Sequence, residues 1–187
     1  MPPKSQSFTL ASAKGLLNVL QTTCGISQAF DPKNINNPNL LLVGFNAIWD
    51  TGATGSVINQ RVVDACKLQA TGMKQVHGVN STSMCEVYLV NIILPNNVGF
   101  VNVHVTKGEL PGSTGIDVLI GMDIITGGDF SITNKNNKTV FSFRCPSMIH
   151  TDFVKDHNDQ LAKEQFKHGN SKNKHKKRHK TFGKNKY

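Results

Sequence analysis

The residues best placed for chemistry are Asp50-Thr51-Gly52-Ala53, an aspartate followed by a hydroxyl residue, a glycine and a small residue. A carboxylate held in such a loop is set up for proton transfer, as acid or as base. A bare Asp-Thr-Gly reads first as a β-turn, in which the aspartate caps its own backbone and the glycine takes a positive φ. Three neighbouring features favour chemistry. The apolar run Ala47-Ile48-Trp49 leads directly into the aspartate, and a small residue, Ala53, follows the glycine. A second apolar-apolar-glycine segment, Leu119-Ile120-Gly121, stands about 70 residues downstream, with a glycine-bounded hairpin between the two. Asp117 and Asp123 flank that glycine and read as loop or helix-cap residues, not as a second acid pair. Trp49 reads as core. The chain contains no P-loop, GxSxG, HExxH or GxGxxG motif, which removes the usual nucleotide, serine-hydrolase and zincin readings.

The elements that must hold this loop are mostly strands. Leu40 to Phe45 and Ala47 to Trp49 read as β leading into the loop. Asn59 is placed to N-cap a short helix, Gln60 to Lys67, with Val62, Val63 and Cys66 on one face. The glycine-punctuated stretch Gly72 to Gly78 and the run Met84 to Leu94 read as a hairpin, and Pro95-Asn96-Asn97 as a turn. Val101, Val103 and Val105 then alternate with Asn102 and His104, as in a half-buried strand. Ile116 to Ile120 is a further apolar run, Met122 to Thr126 reads as one or two helical turns, and Gly127-Gly128 ends them. Asp129 to Thr133 and Thr139 to Arg144 read as two strands around a turn at Asn134 to Lys138. Residues 1–38, with Leu16, Leu17, Val19 and Leu20 compatible with helix or strand, show no clear pattern and are expected to be an N-terminal extension.

With Asp50-Thr51-Gly52-Ala53 upstream and Asp117-Val118-Leu119-Ile120-Gly121-Met122-Asp123 downstream, residues 39–145 resemble the retropepsin-like aspartic peptidases, the bacterial branch more than the viral one. The resemblance implies a mainly β fold, a closed, barrel-like subunit with one or two short helices, working as a homodimer. It implies an aspartic endopeptidase with no cofactor and no metal, acting on an extended peptide or unfolded protein. Such enzymes activate water between two carboxylates that share one proton. This chain has a single Asp-Thr-Gly, so the dyad requires one Asp50 from each of two chains. By the family pattern Asp50 is catalytic, Thr51 bonds across the dyad, and Gly52 and Ala53 complete the loop. Leu119, Ile120 and Gly121 support it, and His77, Gly78 and Val79 form the tip of a flap closing over the substrate, with His77 otherwise an exposed turn residue. Thr139 to Arg144 is a candidate dimer strand; Phe141 and Phe143 on one of its faces fit an internal core equally well.

Composition separates two objects. The chain has 187 residues, 21 Lys+Arg against 12 Asp+Glu, and a formal charge of +9. Residues 1–159 hold 11 basic and 11 acidic side chains; residues 160–187 hold 10 and 1, so the whole excess lies at the C-terminal end. The expected organisation is an extension at 1–38, a peptidase domain at 39–146, a linker or docked helix at 147–166, and a basic disordered tail at 167–187. The tail suits nucleic acid or another polyanion, which gives an alternative reading: a catalytically inactive dimeric binding protein whose tail engages nucleic acid. His175 and His179, four apart in that tail, lack the further ligands a metal needs. Cys24, Cys66, Cys85 and Cys145 form no CxxC pair and read as reduced, mostly buried thiols. With neither a signal segment nor a run of about 20 apolar residues, a cytoplasmic protein with no membrane partner is expected, and the sequons at Asn80 and Asn137 carry no glycan.

Overall fold

The computed structural model describes residues 5–29, 41–77, 82–110, 115–164 and 166. Two compact units are present, residues 1–148 and 149–187. The first is all but entirely β. Its strands are β1 (Gln6–Ala11), β2 (Gln21–Gln28), β3 (Val43–Trp49), β4 (Val57–Ile58), β5 (Gly72–His77), β6 (Thr82–Leu94), β7 (Val98–Lys107), β8 (Val118–Ile120), β9 (Asp129–Thr133) and β10 (Val140–Cys145). Two short helices, α1 (Gln60–Ala65) and α2 (Met122–Ile125), interrupt them. In the second unit residues 153–164 form an exposed helix, and the tail 167–187 lies outside the described residues. Among the described residues no helix is long and apolar enough to cross a membrane.

Six strands close on themselves in the order β2-β3-β8-β4-β7-β6, with β6 returning to β2, and β5 extends from β6 as the outer strand of a hairpin. This is the expected mainly β, closed, barrel-like subunit with short helices. Alternation drives the closure. Phe45, Ala47 and Trp49 of β3 point inward while Gly44 and Asn46 are exposed, and Thr22, Cys24 and Ile26 of β2 do the same. Ile26, Ile58, Val62, Val90, Ile92, Val105, Val118 and Ile120 fill the interior. Each such side chain contributes about 1.5–3 kcal/mol on burial.

β1, β10 and β9 form a separate three-stranded antiparallel sheet, with β10 in the middle. In its register Phe8, Phe143 and Phe130 lie across from one another, as do Leu10, Phe141 and Ile132. That face packs on Trp49, whose ring meets those of Phe141, Phe143, Phe130 and Phe8 at centroid distances of 5.1, 5.2, 5.8 and 6.0 Å. Aromatic pairs in this range add about 0.5–1.5 kcal/mol each beyond their buried area.

Four expectations change. Within 1–38, expected as an extension, the described residues 5–29 belong to the body of the fold: β1 is an edge of the aromatic sheet and β2 is a stave of the barrel, paired with both β3 and β6. Thr139 to Arg144 does not offer a free dimer strand, because β1 and β9 occupy both edges of β10 and Phe141 and Phe143 are buried in the core. Val101 faces solvent, because a bulge opposite Asn91 shifts the register of β6 and β7 and Asn102 takes φ +56°, its N–H donating to Asn91 Oδ1. Of the four cysteines, all free, Cys24 and Cys66 are buried and Cys85 and Cys145 are only partly so. Burial pushes the Cys24 thiol up to about 12, with the Asp117 carboxylate adding to it, and the Cys66 thiol up to about 11.

Candidate active site

β3 delivers Asp50 at the end of a strand that is fixed on both sides. Trp49 N–H donates to Leu20 O at 3.0 Å, and its indole N–H donates to Thr22 Oγ1 at 3.0 Å. Asp50 N–H donates to Ile120 O at 3.0 Å, joining the loop to the last residue of β8. The chain then turns: Gly52 N–H donates to Asp50 Oδ1 at 2.8 Å, and Ala53 N–H to Asp50 O at 3.3 Å. A Cβ on Gly52 would stand 3.2 Å from Asp50 Oδ1, so glycine leaves the carboxylate room to accept that bond.

The downstream segment meets the loop where the sequence pattern places it. β8 runs parallel to β3, pairing Val118, Leu119 and Ile120 with Ala47, Ile48 and Trp49. Val118 and Ile120 are buried and Leu119 half-buried. Met122 N–H donates to Ala53 O at 2.8 Å. Gly121 is the contact point: a Cβ there would lie 2.6 Å from both C and O of Gly55 and 3.0 Å from O of Ala53. Its φ is −97°, so the need for glycine is close backbone approach and not backbone torsion.

Asp117 and Asp123 keep to supporting roles. Asp117, buried, accepts from Arg61 Nη1 at 2.7 Å and from Asn59 Nδ2 at 3.2 Å, tying the entry of β8 to the start of α1. Asn59 caps that helix, its side chain accepting from Val62 N–H at 3.1 Å. Asp123 accepts from Ser56, and Ser56 is the functional candidate that sequence reasoning missed. A serine within a glycine-rich turn carries no pattern that sets it apart; only a strong prior that residues between Asp50 and Gly121 must be bonded would single it out.

Two open depressions flank these elements. Asp50 and Thr51 line a groove of about 370 Å³ with Leu17, Val19, Trp49 and Ile132. A larger groove, about 980 Å³, runs along the β5–β6 hairpin, with Val76, Ser83 and Cys85 on one side and Arg61, Lys107 and Leu110 among the rest of its lining. Cross-strand partners share a face of a hairpin. Val76 pairs with Ser83, whereas His77 pairs with Thr82 and bonds its hydroxyl at 3.0 Å, so His77 stands on the face turned away from the larger groove. Gly78 and Val79, the remaining tip residues, lie outside the described residues. Among the described residues no cluster of three or more His, Cys, Asp or Glu side chains is assembled that would hold a metal ion.

Residues 34–124 match the aspartyl protease family model. No curated protein matches the chain. Among solved structures, a retropepsin-like aspartic protease from Rickettsia conorii is similar at 12% identity and a TM-score of 0.44, covering 76% of this chain and 95% of that one. The retroviral protease-like domain of Ddi1 from Leishmania major is similar at 18% identity and a TM-score of 0.37, covering 67% and 95%. The matched span holds both the Asp50 loop and the Gly121 contact that locks it, so the similarity to the aspartyl proteases covers the residues that build the site.

Proposed function

We propose that this chain is an aspartic endopeptidase whose working site is assembled from two copies, each giving one Asp50. The setting of that residue carries the reading. Its backbone is anchored to β8 and its carboxylate seated by Gly52 N–H, while the side chain lines an open groove and the chain holds no second Asp-Thr-Gly. Two such carboxylates about 3 Å apart hold one proton between them. The ionised one takes a proton from water as the water oxygen bonds to the peptide carbonyl carbon, and the protonated one gives its proton to the carbonyl oxygen. Collapse of the tetrahedral carbon then breaks the C–N bond, the nitrogen leaving with a proton from the dyad.

The hairpin β5–β6 is the covering flap, with Val76, Ser83 and Cys85 toward the substrate and His77, Gly78 and Val79 at or near its tip. An extended peptide or unfolded protein lies beneath it as an added strand, so that main-chain bonds supply affinity and the side pockets selectivity. Thr51 bonds across the twofold axis and holds the two loops together. Gly52 and Ala53 keep the floor low enough for the peptide backbone to approach.

The test is incubation of the full chain and its Asp50→Asn variant with a peptide library at mildly acidic pH, read by mass spectrometry. Cleavage by the parent is expected to fall by about 10³-fold or more in the variant, with the same sedimentation coefficient for both. Cleavage that survives the substitution overturns the reading. A binding protein without catalysis, its basic tail engaging nucleic acid, predicts no cleavage by either.

A further inference from the structure

We propose that Ser56 and Asp123 are positioning residues for Asp50, forming a clamp that sets the catalytic loop against α2. Ser56 is 1% exposed, and its hydroxyl is used twice. It donates to Asp123 Oδ1 at 2.8 Å and accepts from Gly121 N–H at 3.1 Å. Ser56 N–H donates to Asp123 Oδ2 at 3.0 Å, and Asp123 Oδ1 also accepts from Ile124 N–H at 3.0 Å. Both carboxylate oxygens are therefore engaged, and Ser56 meets the downstream segment at two residues.

These bonds continue a series that begins at the catalytic residue. Asp50 N–H reaches Ile120 O, Ala53 O receives Met122 N–H, and Ser56 closes on Gly121 and Asp123. Residues 50, 53 and 56 of the loop are thus fixed in step to residues 120 to 123. Remove the last fastening and the loop is tied to residues 120–123 through Asp50 and Ala53 alone, its exit toward β4 held only by Thr106 N–H donating to Ser56 O at 3.2 Å. A carboxylate that must share a proton with its twin about 3 Å away tolerates little such freedom, because displacement by about 1 Å costs on the order of 100-fold in rate. Asp123 has a specific electronic requirement here. Asparagine has the same shape but a single acceptor oxygen, so its amide N–H₂ would confront either Ser56 N–H, at the Oδ2 position, or Ile124 N–H, at the Oδ1 position, with donor against donor.

The inference rests on Asp50 carrying the chemistry, and its test separates the two claims. Full-length Asp123→Asn, Ser56→Ala and the double variant are compared with the parent by amide hydrogen exchange and by peptide cleavage. The Gly52 amide is the direct reporter, since its N–H holds the Asp50 carboxylate. Exchange at residues 50–53 is expected to quicken about 10-fold while β6 and β7 stay unchanged. Turnover is expected to fall about 10-fold or more with KM within about 2-fold, and the double variant to be no worse than the poorer single one. Unchanged exchange at 50–53 in Asp123→Asn overturns the clamp, as does full turnover in that variant or a loss of protection spread evenly over the barrel. Should the parent cleave nothing, the peptidase reading fails, and exchange at Gly52 still decides whether the clamp seats Asp50.

Discussion

Gly121 shows how a single missing side chain fixes the geometry of the site. The atoms that a Cβ would strike belong to the backbone of Ala53 and Gly55, and backbone cannot rotate out of the way as the end of a long side chain can. Gly121→Ala must therefore push the Asp50 loop away from α2 and stretch the Met122 N–H to Ala53 O bond of 2.8 Å. Overpacking of this kind costs about 1–3 kcal/mol, which lowers the melting temperature by roughly 2–4 °C per kcal/mol in a domain of this size. Calorimetry on the variant checks it, and an unchanged melting temperature would show that the close approach is relieved without cost. The same reasoning explains why the site uses two glycines for different ends. Gly52 leaves the carboxylate room to bond its own loop, whereas Gly121 admits the loop to the strand end.

At the scale of elements, the aromatic sheet is what Trp49, and so Asp50, rests on, and Asp129 fastens its outer end. Its carboxylate accepts from Arg144 Nε at 2.9 Å and from Nη2, from Ser147 Oγ at 2.6 Å, and from Met148 N–H at 2.9 Å. These donors, the Ser147 hydroxyl foremost, hold the Asp129 carboxyl well below the usual carboxylate range. A depressed folded-state value means stability that is present above the unfolded value, near pH 4, and is lost as pH falls through the folded one. Asp129→Asn is therefore expected to melt lower than the parent at pH 7 and to converge on it in strong acid, where both side chains are neutral; a gap independent of pH would reject this origin. Much of this architecture was legible: the strand into Asp50, Asn59 as a cap, α2 and the β9–β10 hairpin all follow from local pattern. β1 and β2 were not. β1 buries only Phe8 among six residues, and its partners on β10 lie 129 to 139 positions away, a pairing that no local periodicity encodes. The bulge at Asn102 and the double use of the Ser56 hydroxyl were hidden for a related reason, since both are set by a neighbouring element and not by their own segment.

For the molecule as a whole, a lone Asp50 in an open groove makes the surface around it the place where a second copy must sit if the dyad is to form. That groove is bordered by Leu17 and Val19, 45% and 53% exposed, and by Ile132, 45% exposed, an apolar rim unusual beside a carboxylate. Ile132 lies on β9, which bonds through its backbone to β10 alone among the described residues and carries neither lysine nor proline to discourage another chain from pairing with it. The opposite edge, β1, already has a neighbour, as Asn96 Nδ2 donates to Ser7 O at 2.9 Å. Ile132→Asp places a charge on the rim without entering the core, since Phe141 beside it stays covered by Trp49 and Phe130. It is expected to weaken self-association by about 100-fold, about 2.7 kcal/mol, leaving a folded monomer whose cleavage rate rises with the square of protein concentration and not in proportion to it. Sedimentation equilibrium and a concentration series of the peptide assay check both parts. A variant that sediments as the parent does, with a rate per chain independent of concentration, would move the dimer surface away from this rim.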